Sequence, residues 1–317
     1  MTTQPIMRRA VSFRAKRGIC FFFFVCMGLS TTIAAAPKAT KRPLITTINH
    51  VVISTSDLKA AREFYPKLGL SKGGDGCRQV AHDCFTVNWA TRTHIELQPS
   101  SACPGTNCLG EIVFRTENAI ELRNLLAKQG MKPGPVEKLS DGSLKFSVTD
   151  PGGNYISFVQ VLLLPIDDPP LDASLGHIIH AGFIVRNRAA MEHFYKDILG
   201  FRPYWHGGMK DDQTDWVSLQ VPDGTDWVEF MVNVPENADQ RLRGIMNHIA
   251  LGVPDIQAAR EQLVKNGVHL TEEPKLGRDG KWQLNVYDPD QTRIEFMEFT
   301  PKEKPCCSEF TGPHPKP

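Results

Sequence analysis

The chain has almost no net charge. Its 36 Lys and Arg residues face 35 Asp and Glu, leaving +1 at pH 7. It therefore shows no basic excess of the kind a phosphate backbone demands, and nucleic acid is not expected as a partner. It also lacks any acidic residue before Asp57, while Arg8, Arg9, Arg14, Lys16 and Arg17 cluster at the front. A long apolar run is missing too. The stretch from Ile19, with Phe21 to Phe24 and Val25, is diluted by Gly28, Ser30, Thr31 and Thr32, which is marginal for crossing about 30 Å of hydrocarbon. Basic head, apolar centre and the small residues Ala34, Ala35 and Ala36 read instead as a secretory signal peptide over 1–36. Export, periplasmic or secreted, is expected, with no stable membrane insertion after signal removal.

The cysteines lack the spacing of a zinc finger or ribbon. Cys20 and Cys26 fall in the signal, and the other six lie close together: Cys77 with Cys84, Cys103 with Cys108, Cys306 next to Cys307. Short loops of this kind suit disulfides in an oxidising compartment. Adjacent cysteines, however, rarely bond each other comfortably.

What is present is a globular composition, 41% hydrophobic and 22% charged over 317 residues, enough for roughly two domains with a real core. A repeat runs through it. Four segments share an apolar strand, an amphipathic helix and a closing glycine. Their strand markers are His50, Glu111, His180 and His248, and their glycines Gly69, Gly130, Gly200 and Gly267, at separations of 19, 19, 20 and 19 residues. Asp57, Asn118, Asn187 and Asp255 are placed to cap the helices, and the glycines to end them in a left-handed turn. Phe64-Tyr65 and Phe194-Tyr195 read as helix core.

Hairpins follow the helices of the second, third and fourth modules. Trp216 to Val221 and Trp227 to Val232 flank Pro222-Asp-Gly-Thr225, and the turns Asp150-Pro-Gly-Gly-Asn154 and Asp288-Pro-Asp-Gln-Thr292 match at the same offset. The proline-rich stretch Leu164 to Leu171 reads as a join. The expected plan is α+β: an N-terminal domain 45–162 (modules 45–99 and 109–162), a linker 163–174, a C-terminal domain 175–300 (modules 175–235 and 244–300) and a tail 301–317.

Aligning the modules aligns residues with chemistry. His180 and His248 stand on first strands, and Glu229 and Glu295 follow them by 49 and 47 residues on last strands. Paired modules related by a local two-fold axis would bring all four into one cleft, a set suited to a divalent ion such as Zn, Ni, Mn or Fe. Taken singly, each has a bland reading, a buried core histidine or a solvent-facing strand glutamate. Four metal-capable side chains at four equivalent positions favour the ligand reading. In the first half the matching positions are His50, Glu96, Glu111 and Ser157. Serine is a poor ligand, and Glu111 stands where a histidine would be. His94 shares a strand face with Glu96 and could compensate, but a degenerate, structural half is expected.

The segments Asn49-His50-Val-Val-Ile, Phe64-Tyr65-Pro-Lys-Leu-Gly69, His193-Phe-Tyr-Lys-Asp-Ile-Leu-Gly200, Asn247-His248-Ile-Ala-Leu and Tyr287-Asp-Pro-Asp-Gln-Thr-Arg-Ile-Glu295-Phe resemble the vicinal-oxygen-chelate superfamily. That superfamily includes glyoxalase I, extradiol dioxygenases, methylmalonyl-CoA epimerases and antibiotic-resistance proteins, and the resemblance spans about Ile45 to Phe299. It implies four βαβββ modules paired into two incomplete β-barrels. Extradiol dioxygenases use two histidines and one carboxylate on iron, here His180, His248 and Glu295. Glyoxalase I adds a glutamate at the position of Glu229. The fourth residue implies a glyoxalase-like isomerase or lyase that abstracts a proton from a small oxygenated substrate, with Glu295 or Glu229 as the base. An iron dioxygenase is the alternative, though neither His206 nor His269 sits in register as its extra histidine. A binding protein without chemistry is the third reading. Trp227, Met231 and Met297 would face inward as an apolar pocket, with Arg293 holding an anionic group. A monomer or homodimer with a small-molecule substrate is expected.

Overall fold

The computed structural model describes residues 42–73, 77, 83–103, 107–162 and 176–317. The expected signal peptide and the proline-rich join at 164–171 lie outside these residues. Each of the four repeats yields four strands. The first two give β1 (Ile45–Thr55), β2 (Ser71–Lys72), β3 (Asp83–Asn88), β4 (Thr93–Pro99), β5 (Leu109–Thr116), β6 (Glu137–Lys138), β7 (Leu144–Thr149) and β8 (Tyr155–Gln160). The last two give β9 (Ile178–Ile184), β10 (Arg202–Gly207), β11 (Trp216–Gln220), β12 (Trp227–Met231), β13 (His248–Val253), β14 (Lys275–Leu276), β15 (Trp282–Tyr287) and β16 (Arg293–Glu298). They form two eight-stranded mixed sheets with the same order, β2-β3-β4-β1-β5-β8-β7-β6 and β10-β11-β12-β9-β13-β16-β15-β14. The class is α+β, as expected.

The helices are α1 (Leu58–Phe64), α2 (Ala119–Lys128), α3 (Arg188–Glu192), α4 (Gln240–Met246) and α5 (Ile256–Lys265). Asp57, Asn118, Asn187 and Asp255 each accept from the backbone N–H three residues on, satisfying a donor that the first turn leaves free. The closing glycines Gly69, Gly130, Gly200 and Gly267 have φ of +91, +80, +80 and +79°, a region L-residues enter at a cost. Helix α4, capped by Asp239, was not expected. Among the described residues it has no counterpart in the other modules.

Strand alternation divides each strand between two faces. Ala181, Phe183, Val228, Phe230, Ile249, Leu251, Ile294 and Phe296 enter one apolar core, which continues through Ile48, Val51, Phe85, Phe114 and Phe158 of the first sheet. The residues between them turn to the opposite face. Two matching hydrogen bonds also join the sheets. Tyr65 donates to Asp288 at 3.0 Å and Tyr195 to Asp150 at 3.1 Å, so the tyrosines read as helix core also carry a buried polar link.

The structure pairs Cys77 with Cys84 and Cys103 with Cys108, and it also bonds Cys306 to its neighbour Cys307. The tail returns across β10: Phe310 packs on Tyr204 and Trp205, and His314 Nδ1 lies 2.6 Å from the Tyr204 hydroxyl. Beneath it the fully buried Lys281 ammonium sits 4.6 Å from the Trp227 ring, and burial pushes its pKa down to about 8. Among the described residues no helix is long and apolar enough to cross a membrane.

Candidate metal centre

Strands β9 and β13 run antiparallel at the middle of the second sheet, with His180 opposite Ala250 and His248 opposite Gly182. Each is flanked by a parallel last strand, β12 beside β9 and β16 beside β13. The local two-fold relation between module pairs therefore puts two first-strand histidines and two last-strand glutamates on one face. Their atoms meet. His180 Nε2 lies 3.0 Å from His248 Nε2 and 3.4 Å from Glu295 Oε2. His248 Nε2 lies 3.6 Å from Glu295 Oε2 and 3.6 Å from Glu229 Oε2. His180, His248 and Glu295 form a tight buried group with ligand atoms within 4.8 Å of one another.

Gly182 makes this approach possible. A Cβ there would come within 2.0 Å of the His248 ring, so the imidazole crosses β9 only because the side chain is missing. Sequence reading passed over this residue. A glycine inside the strand Ile179-His-Ala-Gly-Phe was its one signal.

Hydrogen bonding fixes what the cluster offers. His248 Nδ1 faces the Met246 carbonyl at 3.3 Å, which can only accept, so Nδ1 carries the proton and Nε2 presents a lone pair. That lone pair meets a second imidazole nitrogen and two carboxylates, of which Glu295 is buried and Glu229 borders the cavity. Burial holds the His248 imidazole well below its usual range, so it stays neutral. His180 Nδ1 is buried without a hydrogen-bond partner. Two imidazoles and two carboxylates converging in one largely buried site are a donor set for a divalent transition ion.

The two glutamates differ. Burial raises the Glu229 pKa. Glu295 is held below its usual range, because burial pushes it up but Arg293 and the His180 contact more than offset this. Arg293 lies 3.8 Å from Glu295 Oε2. A cavity of about 300 Å³ opens onto the centre, walled by Trp205, Trp216, Met231, Met246 and Met297, with Glu229, Glu295 and Arg293 at its floor and Lys275 and Arg278 at its edge. Trp227, expected to touch substrate, does not line it. The Trp227 ring is 2% exposed and lies on the His180 imidazole at 4.6 Å. Trp205 and Trp216 supply the aromatic wall instead. His206 and His269 are both exposed and neither lines the cavity.

In the first sheet the equivalent positions do not form such a set. Glu111 pairs with Lys145 at 2.9 Å and is bonded by the Ser157 hydroxyl. Val52 occupies the position of Gly182, opposite Glu111 on one side and Glu96 on the other.

Comparison with known proteins agrees with this geometry. The model of the Glyoxalase/Bleomycin resistance protein/Dioxygenase superfamily matches residues 177–296. A lactoylglutathione lyase of Haemophilus influenzae is 31% identical over 107 residues, 33% of this chain and 79% of that protein. Among solved structures, a catechol 2,3-dioxygenase matches with a TM-score of 0.58 at 17% identity, covering 83% of this chain and 92% of that one. The 2,2',3-trihydroxybiphenyl 1,2-dioxygenase of Sphingomonas wittichii matches at 0.60 and 14%, covering 80% and 90%. Homoprotocatechuate 2,3-dioxygenase of Brevibacterium fuscum matches at 0.59 and 15%, covering 87% and 85%. At these identities the structural likeness speaks for the fold alone. With its repeated modules, its buried His-His-Glu group and its lyase relative, the chain belongs to the glyoxalase/bleomycin resistance protein/dioxygenase superfamily.

Proposed function

We propose that the chain is a metal-dependent lyase or isomerase of glyoxalase type, acting on a small oxygenated substrate with an anionic group. The observation that carries this reading is Glu229, a fourth donor converging on His248 beside the triad. The lyase relative supports it. His180, His248, Glu295 and Glu229 would hold the ion, which as a Lewis acid polarises neighbouring substrate oxygens. Glu229 is the better base. Its side chain is 14% exposed against 4% for Glu295, it borders the cavity, and its raised pKa lets it take and return a proton. Arg293 fixes Glu295 as a carboxylate and, with Lys275 and Arg278, receives the anionic group of the substrate. The tryptophan and methionine walls exclude water. The three disulfides among the described residues suit an oxidising compartment, which supports export.

A second reading, an iron extradiol dioxygenase, draws support from the tight His180, His248 and Glu295 group and from the fold. Glu229→Gln separates the two. The lyase reading expects kcat to fall about 10²–10⁴-fold with bound metal largely retained, and turnover that does not need oxygen. Iron together with oxygen-dependent cleavage of a catechol, undiminished in Glu229→Gln, would overturn it.

A further inference from the structure

A second group of ligand atoms lies in the first sheet, where two positions of the four-residue pattern, His50 and Glu96, are joined by His94 from outside it. His50 on β1 stands directly beside His94 on β4, and Glu96 follows two residues on along the same face. The two imidazoles stack, with ring centroids 4.3 Å apart and planes inclined by 17°. Both Nε2 atoms face Glu96 Oε1, at 3.4 Å from His50 and 3.0 Å from His94. All three ligand atoms lie within 4.8 Å of one another.

The outer nitrogens settle what the inner ones present. His94 Nδ1 lies 3.1 Å from the Arg92 carbonyl oxygen, which can only accept, so the proton is on Nδ1. His50 Nδ1 lies 2.8 Å from Asn49 Oδ1, which again draws the proton outward. Two Nε2 lone pairs and a carboxylate oxygen therefore point at one another, with His50 and His94 only 6% and 4% exposed. Anchoring of the far nitrogen by a carbonyl or amide oxygen is how proteins orient metal-binding histidines. Glu111, the remaining carboxylate nearby, is neutralised by Lys145, so Glu96 is left with the two imidazoles.

We propose that His50, His94 and Glu96 form a second divalent-metal site in the first half of the chain, with zinc as the ion these ligands fit best. It differs in construction from the centre of the second half. There the place of His94 is taken by Trp227, whose ring lies against its first-strand histidine at a tilt of 32°. In the first half, the histidine at that place replaces the ligands lost at Glu111 and Ser157. The ion would tie β1 to β4.

The test is zinc stoichiometry by elemental analysis of the full chain, loaded with zinc chloride and dialysed. A His180→Ala/His248→Ala variant is expected to keep about one equivalent, and adding His94→Leu to remove it. His50→Gln in the same background should weaken binding at least tenfold. A His180→Ala/His248→Ala protein that melts cooperatively yet holds no zinc overturns the site, as does an equivalent that survives both His94→Leu and His50→Gln. The trio would then be a hydrogen-bonded cluster of the sheet with no ion. If the multiple variants lose their melting transition, His94→Leu alone decides, because it should bind one equivalent fewer than the unaltered chain. Should the second-half centre fail to bind metal, the unaltered chain would still show one equivalent sensitive to His94→Leu, so the two readings fail separately.

Discussion

At Gly182 a methyl group is enough to separate two kinds of half-protein. The His248 ring occupies the space where a side chain would stand, whereas Val52 fills the equivalent place in the first sheet and Glu111 turns to Lys145 and Ser157. Gly182→Ala should therefore displace His248 and weaken metal binding about 10–100-fold, the range seen when ligand orientation is disturbed. A competition titration with a chromophoric chelator would measure it, and unchanged affinity would remove the packing argument. Arg293 acts at the same scale through charge. Arg293→Met should raise KM for an anionic substrate more than it lowers kcat, provided metal content is unchanged, since it removes a contact made before the chemical step.

At the scale of elements, the helices are held by short-range rules. Asp255 accepts from Ala258, and Glu298 from β16 accepts the N–H of Ile256, so the start of α5 is satisfied twice. Asp255→Ala is expected to lower stability by about 1 kcal/mol and to leave turnover unchanged, because α5 contributes nothing to the cavity wall. Denaturant unfolding beside a kinetic assay checks both parts. The hairpin turns matter more widely. Asp288 accepts backbone N–H groups from Asp290 and Thr292 while its other oxygen receives the Tyr65 hydroxyl. The same carboxylate shapes its turn and reaches the other sheet.

At the scale of the molecule, that carboxylate makes stability depend on pH. Burial raises the Asp288 pKa to about 6 from 3.8, so the folded state favours the protonated form. This contribution is fully present below about pH 4 and is lost as pH rises through about 6. It amounts to on the order of 3 kcal/mol for a shift of about two units. Asp288→Asn should thus gain stability relative to the unaltered protein across that window, with little further change above it. Midpoints of urea unfolding at pH 4, 5, 6 and 7 would show the divergence, and parallel curves would contradict it. Tyr65→Phe should cost about 1.5–3 kcal/mol, as for a hydrogen bond to a charged partner, most fully above pH 6.

The sequence by itself determined the modules, because the features that define them are local. A capping side chain three residues from its donor, a glycine at positive φ and an apolar residue at every second strand position leave marks at fixed spacing. That was enough to bring His180, Glu229, His248 and Glu295 together through the repeat. Only the tertiary structure decided how neighbours from distant segments share space. It turned Trp227 onto the His180 ring and away from the cavity, gave its place in the wall to Trp205 and Trp216, and folded the tail over Tyr204. It also placed the His94 and His50 imidazoles in register. These outcomes depend on cross-strand pairing and on which volumes are already filled, and spacing along one chain carries neither.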